Sequence, residues 1–204
     1  MTVQDVIDAA NSSELINVYN KPEPAKTTAL INWINQAIIE ISKKIPLVTN
    51  EKVYALVTDA ISGTDTYALP DDCLQVLAAY GEKGEELPIN DESDIESVFT
   101  PSFNKFIVPG SVVGTYVSIL YSAKPAKVTT TLDVLPLNEV MLECILNFIS
   151  YKAYKSLDSN ESTRVLSATY NKQFMMSLNV VIDSGMYCVD GIKNHSSFDR
   201  GGWK

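Results

Sequence analysis

The stretch PLNEVMLECILNFISYKAYKSLDSNESTRVLSATYNKQFMMSLNVVIDSG, from Pro136 to Gly185, decides the fold. Its apolar residues recur at helical spacing: Met141, Cys144, Ile145, Phe148 and Ile149, then Leu166, Tyr170, Phe174, Leu178, Val181 and Ile182. Lys152 closes the first stripe, where its stem can lie on apolar surface while the ammonium reaches water. Pro136 suits the first turn of a helix running to about Leu157. Glu139 and Glu143 stand at the positive end of that helix, and Lys152 and Lys155 at the negative end. Asp158-Ser159-Asn160 then caps a second helix from about Glu161 to Ser184, with Gly185 as its stop. A link this short predicts an antiparallel helix hairpin.

Upstream, Val3, Val6, Ile7 and Ala10 share one helical face. After the prolines near residue 22, Leu30, Ile34, Ala37, Ile38, Ile41 and Ile45 form another stripe, predicting a helix from about Thr27 to Ile45. Thr27 or Thr28 would cap it and Pro46 would stop it. Ile31 and Trp33 widen its apolar surface beyond one face. The N-terminal helix is expected to complete a three-helix bundle with the hairpin.

Between Glu51 and about Val128 the period falls to two. Val53, Ala55 and Val57 alternate with Tyr54 and Leu56, which predicts a strand apolar on both faces. Ser62-Gly63-Thr64-Asp65 reads as a turn, and Thr66 to Leu69 as extended chain. Cys73 to Tyr80 and Glu85 to Ile89 flank Gly81-Glu82-Lys83-Gly84 as a hairpin. Phe103 to Val108 and Thr115 to Tyr121 are further strands, the latter with Val117, Ile119 and Tyr121 on one face. With no crossover helix among them, a parallel doubly wound sheet is excluded. The fold class read from this order is α+β: a three-to-four-helix bundle with an inserted antiparallel β-sandwich or barrel-like segment and an extended C-terminal tail. The expected divisions are 1–50 for the N-terminal helices, 51–130 for the β-rich insertion, 131–185 for the hairpin and 186–204 for the arm.

Composition narrows the function. In 204 residues, 25 acidic against 16 basic side chains leave a net charge of −9, the wrong sign for an electrostatic grip on nucleic acid or anionic lipid. No apolar run is long enough to span a membrane, and Met1-Thr2-Val3-Gln4-Asp5 lacks the basic start of a secretory leader. Cys73, Cys144 and Cys188 are odd in number and far apart, as expected of free thiols in a reducing compartment.

Chemical equipment is sparse. Asn90-Asp91-Glu92-Ser93-Asp94-Ile95-Glu96 is acidic enough for calcium, but Ile95 stands where the common loop needs glycine, so a capped helical turn is the better reading. His195, the single histidine, shares the tail with Cys188, and nothing around either resembles a nucleophile motif. Asp71 and Asp72 follow Pro70 and close a turn. No catalytic, metal-binding or cofactor-binding residue is assigned. The arm from Met186 to Lys204 is the candidate functional segment. Tyr187, Phe198, Arg200 and Trp203 are its partner-binding anchors, because aromatic and arginine side chains dominate interface energetics.

Leu30-Ile31-Asn32-Trp33-Ile34-Asn35-Gln36-Ala37, Tyr67-Ala68-Leu69-Pro70-Asp71-Asp72-Cys73, Tyr121-Ser122-Ala123-Lys124-Pro125 and Leu135-Pro136-Leu137 occur in the same order of parts as in a known group. The chain resembles, over nearly its whole length, the head–tail connector proteins of tailed bacteriophages, also called adaptor or head-completion proteins. That resemblance implies a structural virion protein of the neck, assembled in the host cytoplasm. It further implies a homo-oligomeric ring of about twelve copies beneath the portal protein, with a tail or stopper protein on the other side. DNA would pass through the lumen without sequence-specific binding, and no cofactor or membrane would be involved. The alternatives are another tail-completion or terminator subunit, and a cysteine hydrolase.

Overall fold

In the computed structural model, residues 1–12, 24–56, 64–157 and 160–185 are described. The chain divides into two compact units, one made of Met1–Ile38 with Val128–Lys204 and the other of Ile39–Lys127. The described secondary structure is α+β, with helices and two antiparallel sheets.

In the first unit, α1 (Val3–Ser12) buries Val3, Val6, Ile7 and Ala10, the face its spacing predicts. Thr2 and Asp5 start it reciprocally. The Thr2 N–H donates to the Asp5 carboxylate at 2.7 Å, and the Asp5 N–H to the Thr2 hydroxyl at 3.2 Å. α2 (Ala25–Ser42) begins before Thr27 and ends before Ile45. Thr28 is not its cap, since its hydroxyl donates back to the Pro24 carbonyl at 3.2 Å.

The hairpin is α3 (Leu142–Leu157) and α4 (Glu161–Ser184), which pack along their lengths. The expected start at Pro136 is corrected. Leu135 and Leu137 are buried outside any helix, the chain bending at Pro136 and Leu137, Asn138 is extended, and one 3-10 turn, Glu139–Met141, precedes α3. Asn160 caps α4 by accepting from the Thr163 N–H at 2.9 Å, and Gly185 ends it at φ 65°. The seam is aromatic: Phe148 meets Phe174 edge-on at 5.1 Å and Tyr154 stacks on Tyr170 at 5.4 Å. Lys152 reaches over the Phe148 ring at 5.4 Å, the edge role expected of it. Leu166 departs from the predicted stripe: it is exposed, and the neighbouring Ser167 is buried. The Ser167 hydroxyl donates across the seam to the Tyr151 carbonyl at 3.3 Å, so a small residue allows close approach there.

Two ties close this unit over long sequence separations. The N-terminus lies antiparallel to residues 131–135, with the Val3 N–H on the Asp133 carbonyl at 3.0 Å and the Leu135 N–H on the Met1 carbonyl at 3.0 Å. Asn35, buried on α2, donates to the Val128 carbonyl at 2.8 Å and accepts from the Val128 N–H at 2.9 Å.

Among the described residues the second unit holds seven strands. β1 (Thr49–Ala55), β3 (Cys73–Tyr80), β4 (Glu86–Leu87) and β7 (Tyr116–Ala123) form a sheet ordered β1-β7-β3-β4. β2 (Thr64–Ala68), β5 (Phe99–Ser102) and β6 (Lys105–Pro109) form a sheet ordered β2-β6-β5. One buried cluster takes Tyr54, Ala79, Leu87, Val117 and Ile119 from the first sheet and Phe106 and Val108 from the second. Phe106 lies 4.8 Å from Tyr54 and 5.2 Å from Tyr67, and the Tyr54 hydroxyl donates to the Ala68 carbonyl at 3.0 Å. Burial there pushes the Tyr54 hydroxyl up to about 12.

Three expectations change in this unit. β1 is not buried on both faces: Tyr54 is buried, but Val53 is 58% exposed on this edge strand. Phe103 does not begin a strand. It sits at the turn between β5 and β6, 88% exposed, and β5 was hidden by Pro101, which an edge strand tolerates. The acidic segment after Asn90 is not a helical turn. The Asp91 carboxylate accepts from the Ser93 N–H at 2.9 Å and that of Asp94 from the Glu96 N–H at 2.9 Å, two side-chain turns that replace helical bonds.

Replacing Asn35 by Ala leaves a buried N–H and C=O on Val128 without partners, at about 1–3 kcal/mol each. Urea unfolding should therefore show the first unit less stable by roughly 2–6 kcal/mol with an unchanged m value, and Asn35→Asp should not restore it. Asp133 supplies a pH test. Its carboxylate accepts from the Thr129 and Thr130 N–H groups and the Thr130 hydroxyl, which lowers it from 3.8 to about 2. Its folded value lies below its unfolded one, so its stabilising effect is full above 3.8 and disappears as pH falls toward 2. The stability difference between the parent and Asp133→Ala should shrink over that interval.

Candidate docking interface

Packing on one side of the hairpin determines what the other side presents. With Phe174, Leu178 and Val181 turned into the unit, α4 leaves Val165, Met175, Met176 and Val180 between 42% and 65% exposed. Apolar residues on both sides of a helix that already has a packed face mark a surface for further contact. The 3-10 turn adds Val140, 46% exposed.

Val140, Met176 and Val180 edge a groove between the start of α3 and the end of α4, of about 520 Å³. Val140, Cys144, Met176, Val180 and Val181 supply its apolar lining, and Glu143 is the charged residue on it. Cys144 lies at the bottom, fully buried, and burial raises its thiol above the ordinary value. Cys73, half-buried in β3, is also raised, by burial and then by the Asp72 carboxylate. Both shifts run against a nucleophile, which needs the thiolate.

The most exposed apolar residues described in the second unit stand singly on loops: Ile95, Phe103 and Val113, each at least 79% exposed. The first and last of these loops are joined by a hydrogen bond from the Ser111 hydroxyl to the Ile95 carbonyl. The β3–β4 hairpin reaches the same region, since Glu82 accepts from the Thr115 N–H at 2.8 Å. Glu82, Glu85, Glu86, Asp91, Glu92, Asp94 and Glu96 lie along these segments, so they carry much acid and little base.

The sequence-predicted anchors Tyr187, Phe198, Arg200 and Trp203 lie outside the described residues, as do Cys188 and His195. The groove was missed. A signal for it exists in the pairs Met175-Met176 and Val180-Val181, where Met176 and Val180 extend an apolar face past the predicted stripe. Among the described residues no group of three or more His, Cys, Asp or Glu side chains is placed to hold a metal ion. No described helix is long and apolar enough to cross a membrane.

The thiol environments have a measurable outcome. In a Cys188→Ser protein, Cys73 and Cys144 should react with a water-soluble disulfide reagent at pH 7 at least ~10-fold more slowly than after denaturation. Fast reaction of either in the folded protein would contradict the surroundings described.

Comparison with curated proteins finds no match. The family model described as SU10 adaptor protein matches residues 1–187, and the chain belongs to that family of bacteriophage head–tail adaptors, structural proteins of the phage particle.

Proposed function

We propose that this SU10-type adaptor assembles into an oligomeric ring beneath the portal, joins the capsid to the tail in the virion neck, and lets DNA pass through the ring. The observation that carries this reading is the outward apolar surface of α4 on a chain whose family match spans residues 1–187. A ring needs each subunit to offer two different faces to identical neighbours. A helix apolar on its packed side and again at Val165, Met175, Met176 and Val180 suits that requirement. About twelve copies, the number the resemblance implies, would bury these residues repeatedly around the ring.

Charge supports the passage of DNA. Fixed lysines and arginines along a lumen would bind phosphates and slow translocation, whereas carboxylates do not hold the polymer. The acid-rich loops of the second unit are the part we assign to the DNA path. The arm beyond Gly185, with Tyr187, Phe198, Arg200 and Trp203, is assigned to the portal, and a tail or stopper protein to the opposite face of the ring.

Complementation tests this. Particles made without the chain should package DNA but carry no tails, and the wild-type chain supplied in trans should restore infectivity. Val165→Asp and Met175→Asp alter exposed positions, so they should leave the fold intact while abolishing both ring formation and rescue. Full infectivity without the chain would remove the adaptor role, and a lumen lined mainly by Lys and Arg would remove the proposed path.

A further inference from the structure

The hairpin groove lies next to the point where the chain leaves α4. Val181 lines it, and Gly185 ends the helix four residues on, a rise of about 6 Å. Residues 186–204 follow. From 186 to 198 the chain can extend to about 40 Å, several times the way back to the groove. The groove and the end of the arm are also complementary. The lining is apolar at Val140, Cys144, Met176, Val180 and Val181, polar at Asn147, Gln173 and Ser177, and acidic at Glu143, with Glu139 exposed one turn earlier. The end of the arm reads Phe198-Asp199-Arg200-Gly201-Gly202-Trp203-Lys204. Among the described residues no Lys or Arg lines the groove. Its 520 Å³ is room for large aromatic side chains, and the two glycines between Arg200 and Trp203 allow the backbone close approach.

We propose that the arm docks on the helix hairpin of its own chain, with Phe198 and Trp203 in the groove and Arg200 and Lys204 facing Glu143 and Glu139. Its own chain is the favoured host because the tether begins one turn from the site, giving an effective concentration on the order of millimolar. Phe198 and Trp203 cannot serve the groove and a partner at the same time. Docking therefore withholds the arm from any partner until that partner displaces it. The proposal does not rest on the ring, since it concerns the isolated chain.

Trp203 reports on it directly. In the full chain, the difference between the parent and Trp203→Phe isolates Trp203 emission from that of Trp33. That emission should be blue-shifted and protected from acrylamide at every protein concentration. Val180→Glu and Met176→Glu, both at exposed positions, should each shift it to the red and remove the protection without changing the far-ultraviolet circular dichroism. Parent emission already typical of indole in water would overturn the proposal, as would protection that survives both substitutions. Protection that grows with protein concentration would place the arm on a second copy and overturn docking on its own chain.

Discussion

Ring packing along the α3–α4 seam governs the helical unit. Phe148 against Phe174 and Tyr154 against Tyr170 hold two points one to two turns apart on the seam, and two points are enough to fix the rotation of α4 about its axis. Each pair adds about 0.5–1.5 kcal/mol beyond its buried area. Once that rotation is fixed, Leu178 and Val181 turn inward and Val165, Met176 and Val180 have no option but solvent or another molecule. The groove, with Cys144 at its base, is a by-product of the same setting.

An adaptor has to be rigid where it is held and chemically inert. The thiols of Cys73 and Cys144 meet the second condition through burial, which keeps them protonated. The first is met by a few bonds between distant parts of the chain. Asn35 fixes Val128 with two hydrogen bonds across a separation of 93 residues, and the Thr2–Val134 bridge fixes the first residues to the segment before the hairpin. Both restrain the chain close to where it re-enters the helical unit, so the large insertion between them does not loosen that unit.

Helices with one packed face were legible because a single period determines them. The α1 stripe and the bounds of α4 follow from spacing and from the Asn160 and Gly185 signals. Ends set by competition were not. Thr2-Val3-Gln4-Asp5 is a capping box, but Asp is a less specific signal at its fourth position than Glu or Gln. Pro136 has the composition of a helix start, yet burial of Leu135 and Leu137 around a bend outweighs it. β5 could not be read through Pro101, and the side-chain turns at Asp91 and Asp94 mimic a helical start in composition alone. Of the candidate surface, the arm's aromatics stood out because they are interleaved with glycines and charged residues. The groove did not, because it needs residues from two helices at a known rotation.

The division of the chain has a consequence for its synthesis. The helical unit is interrupted, with Met1–Ile38 made before the inserted Ile39–Lys127 and its remaining half made afterwards. At roughly 5–20 residues per second, α1 emerges from the ribosome many seconds before α3, the surface that covers Val3, Val6 and Ile7. The insertion has all its own strands by then and can fold while those side chains wait in water. Nascent α1 is thus the stretch most open to chaperones, and a translational pause placed within the insertion would prolong that exposure.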